Sequence, residues 1–145
     1  MIKTFAVVAL LACASCGLVP QPTPAQMMAA DIGPQPDRNA AIQFSEATAR
    51  KFLLDPDSAH FTWGPKILRD YYHVGNWSAT PHIAWKLMGS VIAKKENGDF
   101  APSCPWTFWF RDGHMVAVES WMVQPGAATV ELSPPAPFPP GWEAR

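Results

Sequence analysis

A chain of 145 residues suits one domain, and its net charge of −1 gives no electrostatic reason to bind nucleic acid or an anionic membrane surface. Apolar residues, at 48%, are ample for a core, while charged residues are sparse at 16%. Sixteen prolines gather towards both ends, so the ordered part is predicted to be shorter than the chain. The first segment is a short basic start, Met1-Ile2-Lys3, followed by the uncharged run from Thr4 to Ala12. A signal peptide has a basic start, an apolar stretch of roughly 7–15 residues and small residues at the cut. A membrane-spanning helix needs roughly 20 apolar residues, so this run is too short to span. Residues 1–12 are therefore expected to be a cleavable leader.

Leu10-Leu11-Ala12-Cys13 resembles the lipobox of bacterial lipoproteins. The resemblance implies acylation of the Cys13 thiol, cleavage before it and a lipid anchor on the periplasmic side of the envelope. Cys16 is the alternative attachment site. Ordinary secretion, with a cut at Ala12-Cys13-Ala14, is the rival reading. If Cys13 is acylated, Cys16 and Cys104 remain, and they are a candidate disulfide in an oxidising compartment. A free Cys104 is the other reading.

Residues 13–37 read as a tether, because Pro20, Pro22, Pro24, Pro34 and Pro36 favour extended backbone. A helix is predicted after Asp37, which can cap its free N–H groups. Ile42, Ser45, Ala49, Phe52 and Leu53 fall near one helical face, and Asp55-Pro56 ends the pattern. Antiparallel strands follow: His60–Trp63, Ile67–Tyr72, Ala84–Lys94 with Trp85, Leu87, Val91 and Ala93 on one face, and Pro105–Arg111 with Trp106, Phe108 and Phe110 on one face. Asp112-Gly113 is a strong hairpin signal. It predicts Arg111 opposite His114, Phe110 opposite Met115 and Phe108 opposite Ala117, with the return strand running to about Met122. Residues 127–132 can add an edge strand. The proline-rich tail from Ser133 cannot enter a sheet interior, since proline donates no hydrogen bond. It is expected to be disordered or draped over the domain.

The fold expected is α+β: one N-terminal helix packed on an antiparallel sheet of about four to five strands, with Pro-rich disordered ends. The boundaries are leader 1–12, tether 13–37, domain 38–123, and 124–145 as edge strand and tail.

Asp55-Pro56-Asp57-Ser58-Ala59-His60-Phe61, then Gly89-Ser90-Val91-Ile92-Ala93-Lys94, Gly98 and Phe100, carry a second resemblance. They are similar to a group of small exported bacterial proteins of unknown function, whose pattern is D-P-x-S-A-x-F followed by G-x-V-N-A-K-N-x-x-G-x-Y. It covers residues 33–120. Ile92 and Lys95 replace the two Asn of that pattern. The resemblance implies a fold and an exported life, and no reaction.

His60, His73, His82 and His114 lack zinc-ligand spacing, and no metal or other cofactor is expected. Cys104 as a nucleophile, or Asp55 and Asp57 as an acid–base pair, would make an envelope hydrolase. Capping and a quiet thiol are the plainer readings of those residues. The tryptophans point instead to a binding face. Trp109 is predicted opposite to Phe108 and Phe110 and near Val116, and with Trp121 it is the candidate platform for a protein or cell-wall partner unless a loop or the tail covers it. The function expected is a non-catalytic, tethered envelope module that binds such a partner. An envelope enzyme and a periplasmic enzyme inhibitor are the alternatives.

Overall fold

The computed structural model describes residues 20–74, 80–123 and 129–140. Its first element is a helix where extended tether was expected: α1, Pro24–Ala29. Thr23 Oγ1 accepts from the Gln26 N–H (3.2 Å), and Gln26 Oε1 accepts from the Thr23 N–H (2.8 Å). Proline at the first helical position has no amide to leave orphaned, so Pro24 starts this helix rather than preventing one. Arg69 Nη1 donates to the carbonyls of Met27 (2.8 Å), Met28 (3.2 Å) and Ala30 (3.0 Å) at its far end. Ile32 is then fully buried. The Pro-rich stretch is thus packed against the sheet from Met27 onwards.

Helix α2, Arg38–Arg50, starts where predicted, with Asp37 Oδ1 accepting from the Ala40 N–H at 2.9 Å. Its buried residues are Ala41, Ser45, Thr48 and Ala49, with Ile42, Phe44 and Leu53 half-buried beside them. Phe52 lies beyond the helix end and is 43% exposed, which corrects its place on the buried face. Small residues suit this contact because the sheet supplies the bulk. A 3-10 turn, Pro56–Ser58, follows: Asp55 Oδ1 accepts from the Ser58 N–H, and Ser58 Oγ accepts from the Lys94 N–H at 2.9 Å.

Among the described residues six strands form one antiparallel sheet: β1 His60–Trp63, β2 Leu68–Tyr72, β3 His82–Ile92, β4 Cys104–Arg111, β5 His114–Glu119 and β6 Thr129–Pro137. The order is β1-β3-β4-β5-β6, and β2 shares the β1 side of β3. Two short strands against one eleven-residue strand account for a count above the four to five expected. β6 carries Pro134, Pro135 and Pro137, so the tail is neither disordered nor loosely draped over its first half. Its place at the sheet edge reconciles it with the missing proline donors.

The Asp112-Gly113 turn has positive φ at both residues, 49° and 77°. Arg111 pairs with His114 and Phe110 with Met115, as predicted. Beyond that the register slips by one: Trp109 pairs with Ala117, and Phe108 with Val118, not with Ala117. Val116 is the extra residue. The bulge lets both Met115 and Val118 face the core, while Val116 and Ala117 lie with Trp109 on the other side.

One face of the sheet carries Leu87, Val91, Trp106, Phe108, Phe110, Met115 and Val118 into a single cluster with Ala41 and Ala49. The predicted aromatic stripe of β4 is fully buried there. Each such ring contributes about 1.5–3 kcal/mol by leaving water. Phe138, just past β6, closes this core against Phe44 (ring centroids 4.9 Å) and Phe110 (5.1 Å).

Candidate functional site

The expected platform residue, Trp109, is not bare: it is 3% exposed. On its face of the sheet it packs with Tyr72, Ala84 and Ala117, with Val74 and Val116 around them. Tyr72 lies 5.0 Å away between ring centroids, and Lys86 Nζ stands 5.5 Å above the indole. Lys86 is held there by Asp70 at 2.6 Å, and a cation over an aromatic face is attracted by the ring quadrupole. Long side chains from neighbouring strands therefore cover a ring that strand alternation alone would leave open.

The same face carries a titrating group. The Tyr72 hydroxyl sits 3.4 Å from Glu131 Oε1, and burial, then the Glu131 carboxylate, pushes its pKa up to about 12. His82 stacks on Tyr72 at 5.2 Å and approaches Glu131 at 3.7 Å. These groups are engaged with one another along the strand ends.

Trp121, the other platform residue, is 59% exposed. It lies in the turn after β5, not on a strand beside Trp109. At that end of the molecule is an apolar groove of about 210 Å³. Phe52, Leu53, Leu54, Ala93, Ala101 and Met122 form its walls, and its two charged lining residues are Lys94 and Lys95. Leu54 is 80% exposed, and Phe100, next to Ala101, is 49% exposed. Lys94 Nζ lies 5.7 Å from the Phe100 ring centre. Neither lysine forms an ion pair with a described residue.

The elements explain why these groups meet. The Lys94–Phe100 bridge continues the β3–β4 hairpin past its last strand pair, with Gly98 at φ 84° in the turn. The Ala101 N–H donates to the Ala93 carbonyl at 2.8 Å, which brings the two alanines side by side. The chain leaving α2 then lays Phe52 to Leu54 across them. Sequence reasoning missed this groove. It assigned Phe52 and Leu53 to a buried helix face and read Leu54-Asp55-Pro56 only as the helix stop, although a Leu two residues before Pro56, past a helix end, was the available signal.

Among the described residues the hydrolase candidates have no convergent partners. Cys104 is bonded to no described cysteine, and its polar contacts are Ser120 Oγ at 3.5 Å and the Pro105 carbonyl at 3.7 Å. Asp55 caps the 3-10 turn, while Asp57 is exposed. Cys13 and Cys16 lie outside the described residues, so the lipid site and the Cys16–Cys104 pairing carry no geometry. No described helix is long and apolar enough to cross a membrane. No protein-family model, curated protein or solved structure matches this chain.

Proposed function

We propose that this chain is a non-catalytic binding module, exported and lipid-anchored at Cys13, or at Cys16 instead, on the periplasmic side of a bacterial envelope. Its partner is a protein or a cell-wall component, taken up at the groove end. The observation that carries the binding reading is the exposure of Leu54 and Trp121 beside an apolar groove. Contiguous exposed apolar surface on a small protein marks an interaction site more often than scattered exposure does. In this reading α2 is the one helix that builds the core, and α1 is a strap. The lipobox-like Leu10-Leu11-Ala12-Cys13 supports the anchoring.

Chain geometry supports the division of labour. Residues 27–33 are held at the hairpin end by Arg69, by the indole N–H of Trp85 on the Gly33 carbonyl (3.1 Å) and by the Asp112 N–H on the Ile32 carbonyl (3.1 Å). The groove lies about 26 Å further along β3, counting from Trp85 to Ala93. A tether entering at one end leaves the other free for a partner.

The test combines fractionation with cross-linking. Cys13→Ser is expected to move the protein from the membrane fraction to the soluble periplasm. A photo-cross-linker at position 121 is expected to trap a partner in the native envelope, and Leu54→Asp to abolish that product with thermal stability unchanged. A soluble mature chain beginning at Ser15 would defeat the anchor. Equal cross-linking from position 121 in wild type and Leu54→Asp would defeat the binding end.

A further inference from the structure

The groove can be assigned a partner chemistry, an inference that rests on the binding reading of that end. Small-molecule sites run to about 300–1,000 Å³. At about 210 Å³ this groove is smaller, the size for an inserted side chain rather than for a whole ligand. Its walls are hydrocarbon and aromatic, so the inserted group is apolar. Its two charged lining residues have the same sign and stand unpaired among the described residues. The Ser58 hydroxyl fixes the backbone of Lys94 through its N–H, so the first ammonium springs from an anchored position. Lys95 is likewise anchored, its N–H donating to the Asp99 carbonyl at 2.8 Å.

We propose that the groove bounded by Phe52, Leu54, Ala93 and Met122, with Lys94 and Lys95 at its mouth, docks a peptide segment of a partner protein that carries a large apolar side chain flanked by carboxylates. The apolar side chain fills the groove and gives most of the affinity. The carboxylates meet the two exposed ammonium groups and set the choice of partner. A basic flank is disfavoured beside the two lysines, with Asp55 and Glu96 lying next to Leu54 and Lys95.

The experiment uses the mature chain and four blocked tetrapeptides followed by amide chemical-shift mapping: Glu-Leu-Phe-Glu, its Gln-flanked and Lys-flanked counterparts, and Glu-Ala-Ala-Glu. The acidic Leu-Phe peptide is expected to shift the amides of Ala93, Lys95, Ala101 and Met122. It is expected to bind about tenfold more tightly than the Lys-flanked one, the span of two exposed charge pairs. The Lys94→Ala, Lys95→Ala double variant, checked for an unchanged melting temperature, is expected to erase that preference. Glu-Ala-Ala-Glu is expected not to bind. Equal shifts from the Glu- and Gln-flanked peptides would overturn the charge assignment and leave the binding end standing. No shift from any peptide would overturn the groove as a peptide site. The cross-linking result at position 121 then decides separately whether that end binds at all. Co-sedimentation with phosphatidylethanolamine–phosphatidylglycerol vesicles, lost in Leu54→Asp and with no peptide shifts, would assign the groove to a lipid surface and overturn the proposal.

Discussion

Gly89 is bare because Trp63 occupies the space beside it. The two residues are cross-strand partners, and a Cβ at position 89 would fall 2.6 Å from the Trp63 ring and 2.8 Å from the Thr62 carbonyl oxygen. The ring is tied in turn to α2 through its N–H on Glu46 at 2.9 Å and to Phe108 at 5.7 Å. Gly89→Ala is therefore expected to lower stability by about 1–3 kcal/mol, the usual cost of overpacking, in thermal or denaturant unfolding. Trp109→Ala is expected to cost about 3–5 kcal/mol, since the indole is buried under Tyr72 and Lys86 rather than presented to a partner. Tyr72 gives a prediction in pH. Its folded pKa is raised to about 12 from the ordinary 10.0 of a tyrosine, so the folded state holds the phenolic proton more tightly than the unfolded one. That contribution is present in full below pH 10.0 and is lost as pH rises towards about 12. Stability of the wild type should fall across that window, and Tyr72→Phe should flatten the fall, as measured by denaturant midpoints at stepped pH.

At the scale of elements, β6 is the part whose removal tests the packing. Phe138 is buried between Phe44 and Phe110, and its N–H donates to the Gly113 carbonyl at 3.0 Å. Phe138→Ala is expected to cost about 3–5 kcal/mol, and deletion of residues 133–145 at least as much, read as a lowered melting temperature. The elements that the sequence made legible are those with a strong local signal. Asp37 capped α2, Asp112-Gly113 set the hairpin, and period-2 alternation put Trp106, Phe108 and Phe110 on one buried face. What escaped was decided by tertiary contact. The slip at Val116 exists because Val118, not Ala117, fills the space beside Phe108, and no local pattern announces that choice. The prolines of β6 argued against a strand, yet an edge needs only one side of the backbone to pair. The groove escaped for a related reason: Leu54, Ala93, Ala101 and Met122 are remote in sequence and meet only when three chain segments converge.

Over the whole molecule, the sheet has one face packed against α2, and on the other Trp109 is covered by Tyr72 and Lys86. At the hairpin end Ile32 on one side and Phe138 on the other both hydrogen-bond the Asp112-Gly113 turn, beside an open depression of about 400 Å³ lined by Arg111, His114 and Val116. The opposite end keeps Leu54 and Trp121 in solvent. Substitution should divide accordingly. Leu54→Ser is expected to shift stability by less than about 0.5 kcal/mol, as exposed positions do, and to do its damage in binding alone. The measurement is paired: a melting curve and the cross-linking yield from position 121.

That doubly held turn also sets an order of events. The Asp112 N–H bonds the Ile32 carbonyl, eighty residues earlier, and the Gly113 carbonyl accepts from the Phe138 amide. Contacts of long sequence separation are slow to form, because the loop between them must close first. The core beside Phe44 and Phe110 is sealed only when Phe138 joins it, so the packing of the segments before it is completed late.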